Sequence, residues 1–317
     1  QEAKEYFRQL SHYCKPVYFD EYSSKHLEMI FDGKMASKRK EWMKSDIEMV
    51  DYSPPTFTFE NVIVPELLHY SKSTLTRAIP KLIDNCKEAQ RKILYAAFKK
   101  IRTKEMKVAQ FAAFTADVSQ YTHGENSLNQ AVIKMAQNFP GSNNLPLLKP
   151  NGQFGSRQQN GHDAASPRYI FTQLQPYMDI LFHPDDMDLL TPVVEEGIPV
   201  EPIFYVPILP MILVNGCSGI ATGYRTNILP CRIKDILQNL RKLIRKEPTT
   251  TMKPYVKKYQ GTITDTYLTQ GKYSKQGLLL DITELPLGVS ILDYKEFLHK
   301  SPLVSKFEEK HPNEDQI

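Results

Sequence analysis

The stretch that decides the fold is Asp163-Ala164-Ala165-Ser166-Pro167-Arg168-Tyr169-Ile170-Phe171-Thr172, which follows the glycine-rich segment Gly152-Gln153-Phe154-Gly155-Ser156-Arg157. Ser166 is a typical helix N-cap, and Pro167 is a typical first helical residue. Apolar residues then recur at helical spacing as far as Leu181. The pattern therefore predicts a helix that begins at Ser166.

This helix start would place Arg168 and Tyr169 in a first turn, where free backbone N–H groups and the helix dipole favour an anion. A guanidinium and a phenol at such a position indicate a phosphate beside a nucleophile. A second interpretation stays open at this point, in which Tyr169 is a core side chain next to a surface arginine. The residues on either side of the stretch decide between the two.

Composition allows a globular protein that binds a polyanion. The chain has 317 residues, which predicts two domains or one large one, and 41% of them are hydrophobic. The formal charge of +4 is mild, but basic residues cluster at 34–44, 99–107 and 232–246. Such clusters are typical of solvated faces and fit a nucleic acid equally well.

Several classes of site are not predicted. The four cysteines have no CxxC spacing, so neither a zinc site nor a disulfide framework is indicated. No apolar run reaches the length of a membrane span, so we expect no membrane partner. No P-loop sequence is present, so we expect no ATP hydrolysis by this chain. Because the first residue is not Met, we expect a piece of a longer protein.

Helical spacing of apolar residues is also found before the stretch. It predicts helices over 107–119 and 124–138, joined by a short turn that contains His123. Such a pair fits a helix-turn-helix, with an ordinary helical pair as the open alternative. Leu128, Val132 and Met135 are predicted to form the inner face of the second helix.

Polar residues are predicted on the outer helix faces. They are Arg91, Lys92, Lys99 and Lys100 on a helix before residue 101, and Asn129, Gln130, Lys134, Gln137 and Asn138 on the helix over 124–138. Beyond the stretch, residues 203–214 have the composition of a strand. They are followed by a glycine loop at 215–223, a basic amphipathic helix at 232–246 and short strands as far as Ile282.

Separate stretches along the chain resemble, in the same order, one family, the type IIA DNA topoisomerases in their eukaryotic and viral branch. These stretches are Lys38-Arg39-Lys40-Glu41-Trp42, Arg77-Ala78-Ile79-Pro80, Gln90-Arg91-Lys92-Ile93-Leu94-Tyr95, Lys107-Val108-Ala109-Gln110, His123-Gly124-Glu125, Ala136-Gln137-Asn138-Phe139, Gly141-Ser142-Asn143-Asn144, Gly152-Gln153-Phe154-Gly155, Asp163 through Thr172, and Asn215-Gly216 through Gly223. Each is weak alone, and the ordered set is specific.

The resemblance implies an α+β fold, with a helix-rich winged-helix (helix-turn-helix) domain followed by a mixed α/β tower domain. It implies that residues 1–46 are the C-terminal tail of a TOPRIM region and a linker. Residues 47–195 would form the winged-helix domain with the catalytic tyrosine. Residues 196–317 would form an incomplete tower domain without the coiled-coil exit gate. Divergence elsewhere indicates a viral or protist source, so the expected location is the host cytoplasm if viral and the nucleus if cellular.

The resemblance assigns Tyr169 as the nucleophile that attacks a DNA phosphodiester and holds the 5′ end covalently. A free phenol has a pKa of about 10, so its activation needs nearby positive charge or a base. Arg168 would stabilise charge on the phosphoryl oxygens. The resemblance also implies that His123, Arg77 and Lys92 line the same pocket, with His123 as a hydrogen-bond donor. A purely structural role for His123 is the alternative.

Ile220 is the second implied functional residue. In the family, the isoleucine of a Gly-Ile-x-Thr-Gly loop inserts between base pairs and helps to bend DNA. A core isoleucine after a strand is the alternative. The chain departs from the common pattern at Cys217-Ser218 and at Tyr224-Arg225, which leaves the bend angle and the sequence preference open. The remaining residues implied to bind DNA are Lys107, Gln137, Asn138, Arg157 and Ser166.

The implied cofactors are Mg²⁺, held by acidic residues of a TOPRIM domain outside this chain, and ATP for the longer enzyme. No acidic motif of that kind is present, so no metal ligand is expected within these residues. The implied partners are double-stranded DNA and a second copy of the chain, with each Tyr169 cutting one strand. The competing hypothesis is a non-catalytic helix-turn-helix protein that binds and bends DNA, in which Tyr169 is structural.

Overall fold

The computed structural model describes residues 1–46, 49–264 and 266–310. Its described residues form two compact units, one of residues 1–79 together with 218–226, the other of residues 80–217 together with those from 227 onward. These units divide the chain at different places from the predicted boundaries at residues 46 and 195. The three predicted regions therefore stay a prediction.

The first unit is mostly helical and is built around a long helix. Its elements are α1 (Glu2–Arg8), α2 (Leu10–Tyr13), β1 (Val17–Tyr18), α3 (Glu21–Phe31), α4 (Ala36–Trp42), β2 (Phe57–Thr58) and α5 (Phe59–Ala78). A capping box between Asp20 and Ser23 starts α3, which packs against α5. The short strands β1 and β2 pair in parallel, with Val17 opposite Phe57.

The second unit alternates helices with short antiparallel strands. Its elements are α6 (Glu88–Lys100), β3 (Met106–Lys107), α7 (Val108–Ser119), α8 (Glu125–Ala136), β4 (Leu148–Asn151), β5 (Phe171–Leu174), α9 (Met178–Leu181), β6 (Pro192–Glu195), β7 (Ile198–Pro202), α10 (Met211–Val214), β8 (Cys217–Ala221), β9 (Tyr224–Ile228), α11 (Ile233–Ile244), β10 (Thr262–Ile263), β11 (Thr269–Gln270), β12 (Lys272–Gln276), β13 (Leu279–Glu284) and α12 (Ile291–Lys300). The β8–β9 hairpin is divided between the units, because residues 218–226, which make up most of both strands, belong to the first unit.

Three helices and a three-stranded sheet enclose the core of the second unit. Helices α6, α7 and α8 pack on one another, and the antiparallel strands have the order β3-β5-β4. Ile93, Phe111 and Val132 are each fully buried between them. A helix-turn-helix backed by a small antiparallel sheet is a winged-helix arrangement, so the predicted α+β fold is confirmed.

The predicted helix after Ser166 is wrong. Residues 167–169 form a turn, and β5 follows it as the central strand of the sheet. Ile170, Thr172 and Leu174 are buried while the residues between them are half-buried, which is the period of two of a strand. The helical spacing arose because α9 starts only four residues after β5 ends, so its apolar residues continued the series.

Two other expectations fail in this unit. Residues 203–210, predicted as part of a strand, are irregular and contain Pro207 and Pro210, after which α10 begins. The polar residues predicted on outer faces divide into two groups: Arg91, Lys92, Asn129 and Gln137 are buried, whereas Lys99, Lys100, Gln130, Lys134 and Asn138 are exposed as expected. Arg91 donates to the Cys86 carbonyl at 2.6 Å, and its guanidinium lies 3.4 Å from the Asp84 carboxylate. Buried charges of this kind are tolerated because they are paired.

Candidate functional site

Tyr169 lies in a tight turn with its side chain 68% exposed. Its backbone N–H donates to the Ser166 carbonyl at 2.9 Å, and Ser166 itself is exposed. The next residue, Ile170, is buried in the core, with an exposed fraction of 2%. The chain is thus fixed immediately after Tyr169, while the phenol projects into solvent. This placement contradicts the interpretation of Tyr169 as a core side chain.

The N-terminus of α7 holds the turn in place. The N–H of Val108 donates to the Ile170 carbonyl, and the N–H of Ala109 donates to the Pro167 carbonyl, both at 3.0 Å. The first N–H groups of a helix have no partner within it, and here two of them bind the turn rather than an anion. The predicted anion site on the tyrosine's own helix is therefore absent, and sequence reasoning missed this contact between two distant segments.

One exposed cation lies beside the phenol, and a second lies beside the strand that follows it. The guanidinium carbon of Arg168 is 5.3 Å from the ring centroid of Tyr169. Lys107 pairs with Phe171 across β3 and β5, and its Nζ is 5.9 Å from the centroid of that ring. Both side chains are exposed. Positive charge at an exposed phenol suits a phosphate, because a guanidinium can bind two of its oxygens.

The loop between β4 and the turn is braced across itself. A Cβ at Gly152 would lie 2.8 Å from Cγ2 of Ile170, and one at Gly155 would lie 2.6 Å from Cα of Gly161. Both glycines have positive φ, near 100°. The carboxylate of Asp163 accepts hydrogen bonds from the backbone N–H and the hydroxyl of Ser156. These close contacts and hydrogen bonds therefore fix one compact conformation of the loop that leads to Tyr169.

Gln137 donates hydrogen bonds to this loop and does not lie on an outer surface. Its Nε2 donates to the carbonyls of Phe154 and Gly161, at 2.9 and 3.1 Å, and its side chain is buried. These bonds contradict a DNA contact through that amide nitrogen. The neighbouring Asn138 is exposed, so the structure leaves its predicted contact possible.

His123 lies in the turn of the helix-turn-helix. The turn starts at Gln120, which has the left-handed φ of 50°, and Gly124 forms the N-cap of α8. The imidazole is exposed and stands edge-on to the ring of Tyr121, with centroids 5.4 Å apart. Its predicted role as a hydrogen-bond donor to DNA stays a prediction.

Lys92, predicted to line a pocket together with His123 and Arg77, is part of a buried ion pair. Its Nζ is 2.9 Å from Oε1 of Glu201 and donates to the Ser119 carbonyl at 2.8 Å. Both Lys92 and Glu201 are at most 2% exposed. Burial raises the pKa of the Glu201 carboxyl, and the hydrogen bond from Lys92 opposes this rise. The pair ties α6 to β7 and to the end of α7.

Arg157 is also buried, with an exposed fraction of 1%, although it was predicted to bind DNA. Its guanidinium donates to backbone carbonyls at Leu285, Pro286 and Val289. Those bonds leave the side chain no exposed surface for a phosphate, so this prediction is wrong. No local signal in the sequence distinguishes Arg157 from an exposed arginine, because its partners are about 130 residues away.

The first unit contains the other two predicted residues, Ile220 and Arg77. Ile220 is 72% exposed on β8, which contradicts the core alternative. A Cβ at the preceding Gly219 would lie 2.6 Å from the carbonyl oxygen of Ala78, so this strand packs closely on the end of α5, next to Arg77. On the other arm of the hairpin, Tyr224 lies under Nζ of Lys40, 5.4 Å from the ring centroid.

The residues that the structure describes do not form a metal site of their own. No group of three or more His, Cys, Asp or Glu side chains among them lies close enough together to hold an ion. Within the same residues, no helix combines the length and the apolar character needed to cross a membrane.

Comparison with known proteins gives consistent matches. The family model for the DNA gyrase/topoisomerase IV A-subunit matches residues 77–312. The chain is 44% identical over 307 residues to DNA topoisomerase 2, mitochondrial, of Dictyostelium discoideum, and 43% identical over 310 residues to DNA topoisomerase 2 of Arabidopsis thaliana. Each match covers 94% of this chain, but only 24% and 21% of the relatives. The chain thus spans about a quarter of their length.

A solved structure agrees with the fold. The crystal structure of the Plasmodium falciparum topoisomerase II DNA-binding, cleavage and re-ligation domain superposes with a TM-score of 0.78 at 39% sequence identity. The match covers 94% of this chain and 42% of that one. It therefore extends over both compact units.

Proposed function

Because the chain belongs to the DNA gyrase/topoisomerase IV A-subunit family, we propose that it is part of the DNA gate of a type II topoisomerase. In this role two copies of the chain, each with one Tyr169, would cut the two strands of a duplex, let another duplex pass and reseal the break. The observation that carries the proposal is the exposed phenol of Tyr169 on a turn fixed by α7 and β5, with the Arg168 guanidinium 5.3 Å from its ring.

In the proposed reaction, Oη of Tyr169 attacks a phosphorus atom of the DNA backbone. A bond forms between Oη and phosphorus as the bond from phosphorus to the 3′ oxygen breaks. The phenolic proton is lost, and the departing 3′ oxygen gains one. Since one phosphodiester replaces another, the return attack by the 3′ hydroxyl restores the strand without an external energy source. Covalent storage of this kind splits one difficult exchange into two easier ones.

Arg168 and Lys107 supply the charge that the attack needs. In the transition state, negative charge increases on the phosphoryl oxygens, and fixed cations nearby stabilise that charge. Arg168 directly precedes Tyr169 in the chain, and Lys107 is fixed by β3 next to Phe171. A guanidinium can bind two phosphoryl oxygens at once, which also orients the phosphorus toward Oη.

The cofactors of the whole enzyme would be bound elsewhere. The described residues do not fit a Mg²⁺ site, because their carboxylates do not converge in a group of three. We therefore assign the Mg²⁺ ligands and the ATP site to parts of the longer protein. Bound Mg²⁺ would supply Lewis-acid stabilisation of the leaving oxygen. The second copy of the chain would bring the second phenol to the opposite strand.

Detection of a covalent complex tests the proposal. The full-length protein is incubated with Mg²⁺ and a duplex in which one strand is labelled at its 5′ end or, in a second sample, at its 3′ end. Each sample is then denatured and separated on a gel. We expect a protein-linked band that retains the downstream part of the cut strand, whose 5′ phosphate is bound to the protein. Tyr169→Phe lacks the nucleophilic oxygen, so it should bind the duplex as tightly as the unchanged protein and give no such band.

The competing hypothesis predicts a different result. A non-catalytic DNA-binding protein would give only a complex that denaturant dissolves and that weakens with salt. If the full-length protein gave only that complex, or if Tyr169→Phe gave the covalent band at the original yield, the proposed function would be wrong.

A further inference from the structure

The most extensively bonded buried cation outside the cleavage site is Arg157. Its Nη1 donates to Oδ1 of Asn160 at 2.9 Å and to the Val289 carbonyl at 2.6 Å. Its Nη2 donates to the carbonyls of Leu285 and Pro286, at 3.1 and 3.0 Å, and lies 3.7 Å from the Glu284 carboxylate. One guanidinium thereby satisfies three backbone carbonyls and the Asn160 side chain, which suits the planar, five-donor arginine.

These carbonyls all belong to the connection between β13 and α12. Asn160 extends the contact, because its Nδ2 donates to the Gly288 carbonyl at 2.9 Å. The connection ends at Ser290, whose hydroxyl caps α12 by accepting from the N–H of Asp293. Arg157 and Asn160 therefore fix the start of α12 onto the loop between β4 and β5.

The same loop continues toward Tyr169 and is held together by further hydrogen bonds. Ser156, next to Arg157, is bonded to Asp163, and its carbonyl accepts from the N–H of Gly161 at 2.9 Å. Two residues beyond Asp163, the N–H of Ala165 donates to the Gln153 carbonyl, also at 2.9 Å. The loop is thus one braced body between α12 and the turn that carries the phenol.

We propose that Arg157 and Asn160 are positioning residues for DNA cleavage, which hold the loop to the β13–α12 connection so that Tyr169 stays in its attacking position. The inference rests on the proposed function, and it assigns Arg157 no contact with DNA. A displacement of an attacking atom by about 1 Å can cost a large factor in rate, so loosening of this loop should slow cleavage without weakening binding.

The test compares three variants of the full-length protein. Arg157→Met keeps an unbranched side chain and removes all five donors. Asn160→Gly removes a side chain at a residue with φ of 49°, where glycine keeps the backbone unstrained. Asn239→Ala is the control for general loss of stability, because Asn239 is also buried but bonds only to Thr250, beyond the end of α11.

Arg157→Met should lower the rate of covalent complex formation by at least about tenfold. Its dissociation constant for the duplex, measured with Ca²⁺ in place of Mg²⁺ by fluorescence anisotropy, should stay within about twofold of the unchanged protein. Asn160→Gly should show a smaller loss of rate in the same direction. Asn239→Ala should cleave within about twofold of the unchanged protein, since distant sites act independently.

Hydrogen exchange gives a second measurement, independent of cleavage. Arg157→Met should speed exchange at the amides of Ser156, Gly161 and Ala165, and Asn239→Ala should leave them unchanged. Unchanged exchange there, unchanged cleavage by both loop variants, or a loss of affinity as large as the loss of rate would each overturn the inference. If the unchanged protein formed no covalent complex, the proposed function would fail, while exchange would still decide whether Arg157 braces the loop.

Discussion

At the scale of single residues, burial separates the basic side chains that the sequence grouped together. Arg168 is exposed beside Tyr169 and Lys107 is exposed beside Phe171, whereas Lys92 and Arg157 are buried and bound to other parts of the protein. Lys92 meets Glu201, more than 100 residues later in the chain. Whether a lysine is exposed or paired thus depends on the packing of distant segments, which local patterns do not report.

Lys92→Met should destabilise the chain, because it leaves the Glu201 carboxyl buried without its cation. Removal of one partner of a buried pair costs about 3–5 kcal/mol. Replacing both residues, as in Lys92→Met with Glu201→Leu, should recover most of that loss. The free energy of unfolding is measured by urea titration of each variant. A single variant as stable as the unchanged chain at pH 8 would show that the pair is not buried.

The pH dependence of the same variant has a defined sign. Burial raises the pKa of Glu201, and loss of Lys92 removes the side-chain hydrogen bond and the charge that oppose this rise, so that only a backbone hydrogen bond still lowers the pKa. A carboxyl with a raised pKa in the folded state favours folding while it is protonated, and this contribution is lost as pH increases through the folded pKa. Lys92→Met should therefore be less destabilising near pH 4 than at pH 8. An equal loss at both values would contradict the assignment to Glu201.

At the scale of elements, the β8–β9 hairpin presents Ile220, an apolar side chain that is mostly in solvent. Gly219 packs on the end of α5, so Ile220 is presented at a fixed place with 72% of its surface in solvent. An apolar side chain that enters a base step partly unstacks it, and the bent duplex gains contact with the protein. The hairpin therefore suits DNA bending, while Arg225 adds a cation at its exposed end.

Ile220→Ala should reduce DNA bending more than DNA affinity, because the smaller side chain cannot hold a base step open. Energy transfer between dyes on the two ends of a duplex measures the bend in complex with the full-length protein, and anisotropy measures the affinity. Ile228→Ala, on the other arm of the hairpin and also exposed, is the matched control. An unchanged end-to-end distance with Ile220→Ala, or an equal change with both variants, would remove Ile220 from this role.

The elements also show what the sequence could predict. The inner face of α8 is as expected, since Leu128, Val132 and Met135 are buried, and the bounds of α7 and α8 differ from the predictions by at most two residues. Long helices can be recognised from the sequence alone, because their apolar residues repeat at helical spacing over several turns. The strand β5 cannot be recognised in this way, because four residues are too few to separate a period of two from helical spacing. Its identity is set by β3 and β4, which pair with it from distant parts of the chain.

At the scale of the whole molecule, the proposed gate needs two copies of the chain, since one phenol can hold only one strand. This predicts the behaviour of mixed dimers. A full-length dimer with one unchanged copy and one Tyr169→Phe copy, purified through two different tags, should convert a supercoiled plasmid to nicked circles with protein on one strand. Linear plasmid would show that a single Tyr169 cuts both strands, and would contradict the assignment of one strand to each copy.

The candidate site could be predicted only in part, because some of its contacts join distant segments of the chain. Tyr169 and Arg168 are adjacent in sequence, and the resemblance to a family identified them together. The contacts that fix them, from Val108, Ala109 and the loop braced by Gln137, join segments that are far apart in the chain. Such contacts become visible only when the sheet and the three helices are assembled.

The most direct test of the central claim is to locate the covalent bond to DNA. The trapped complex of the full-length protein is digested with nuclease and with a protease that cleaves before aspartate, which releases residues 163–178 as one peptide. This peptide contains an internal control, Tyr177, whose hydroxyl donates to the Pro146 carbonyl in a half-buried site. Fragmentation in a mass spectrometer should place a nucleotide phosphate on Tyr169 alone. A phosphate on Tyr177, or on a residue outside this peptide, would contradict the account.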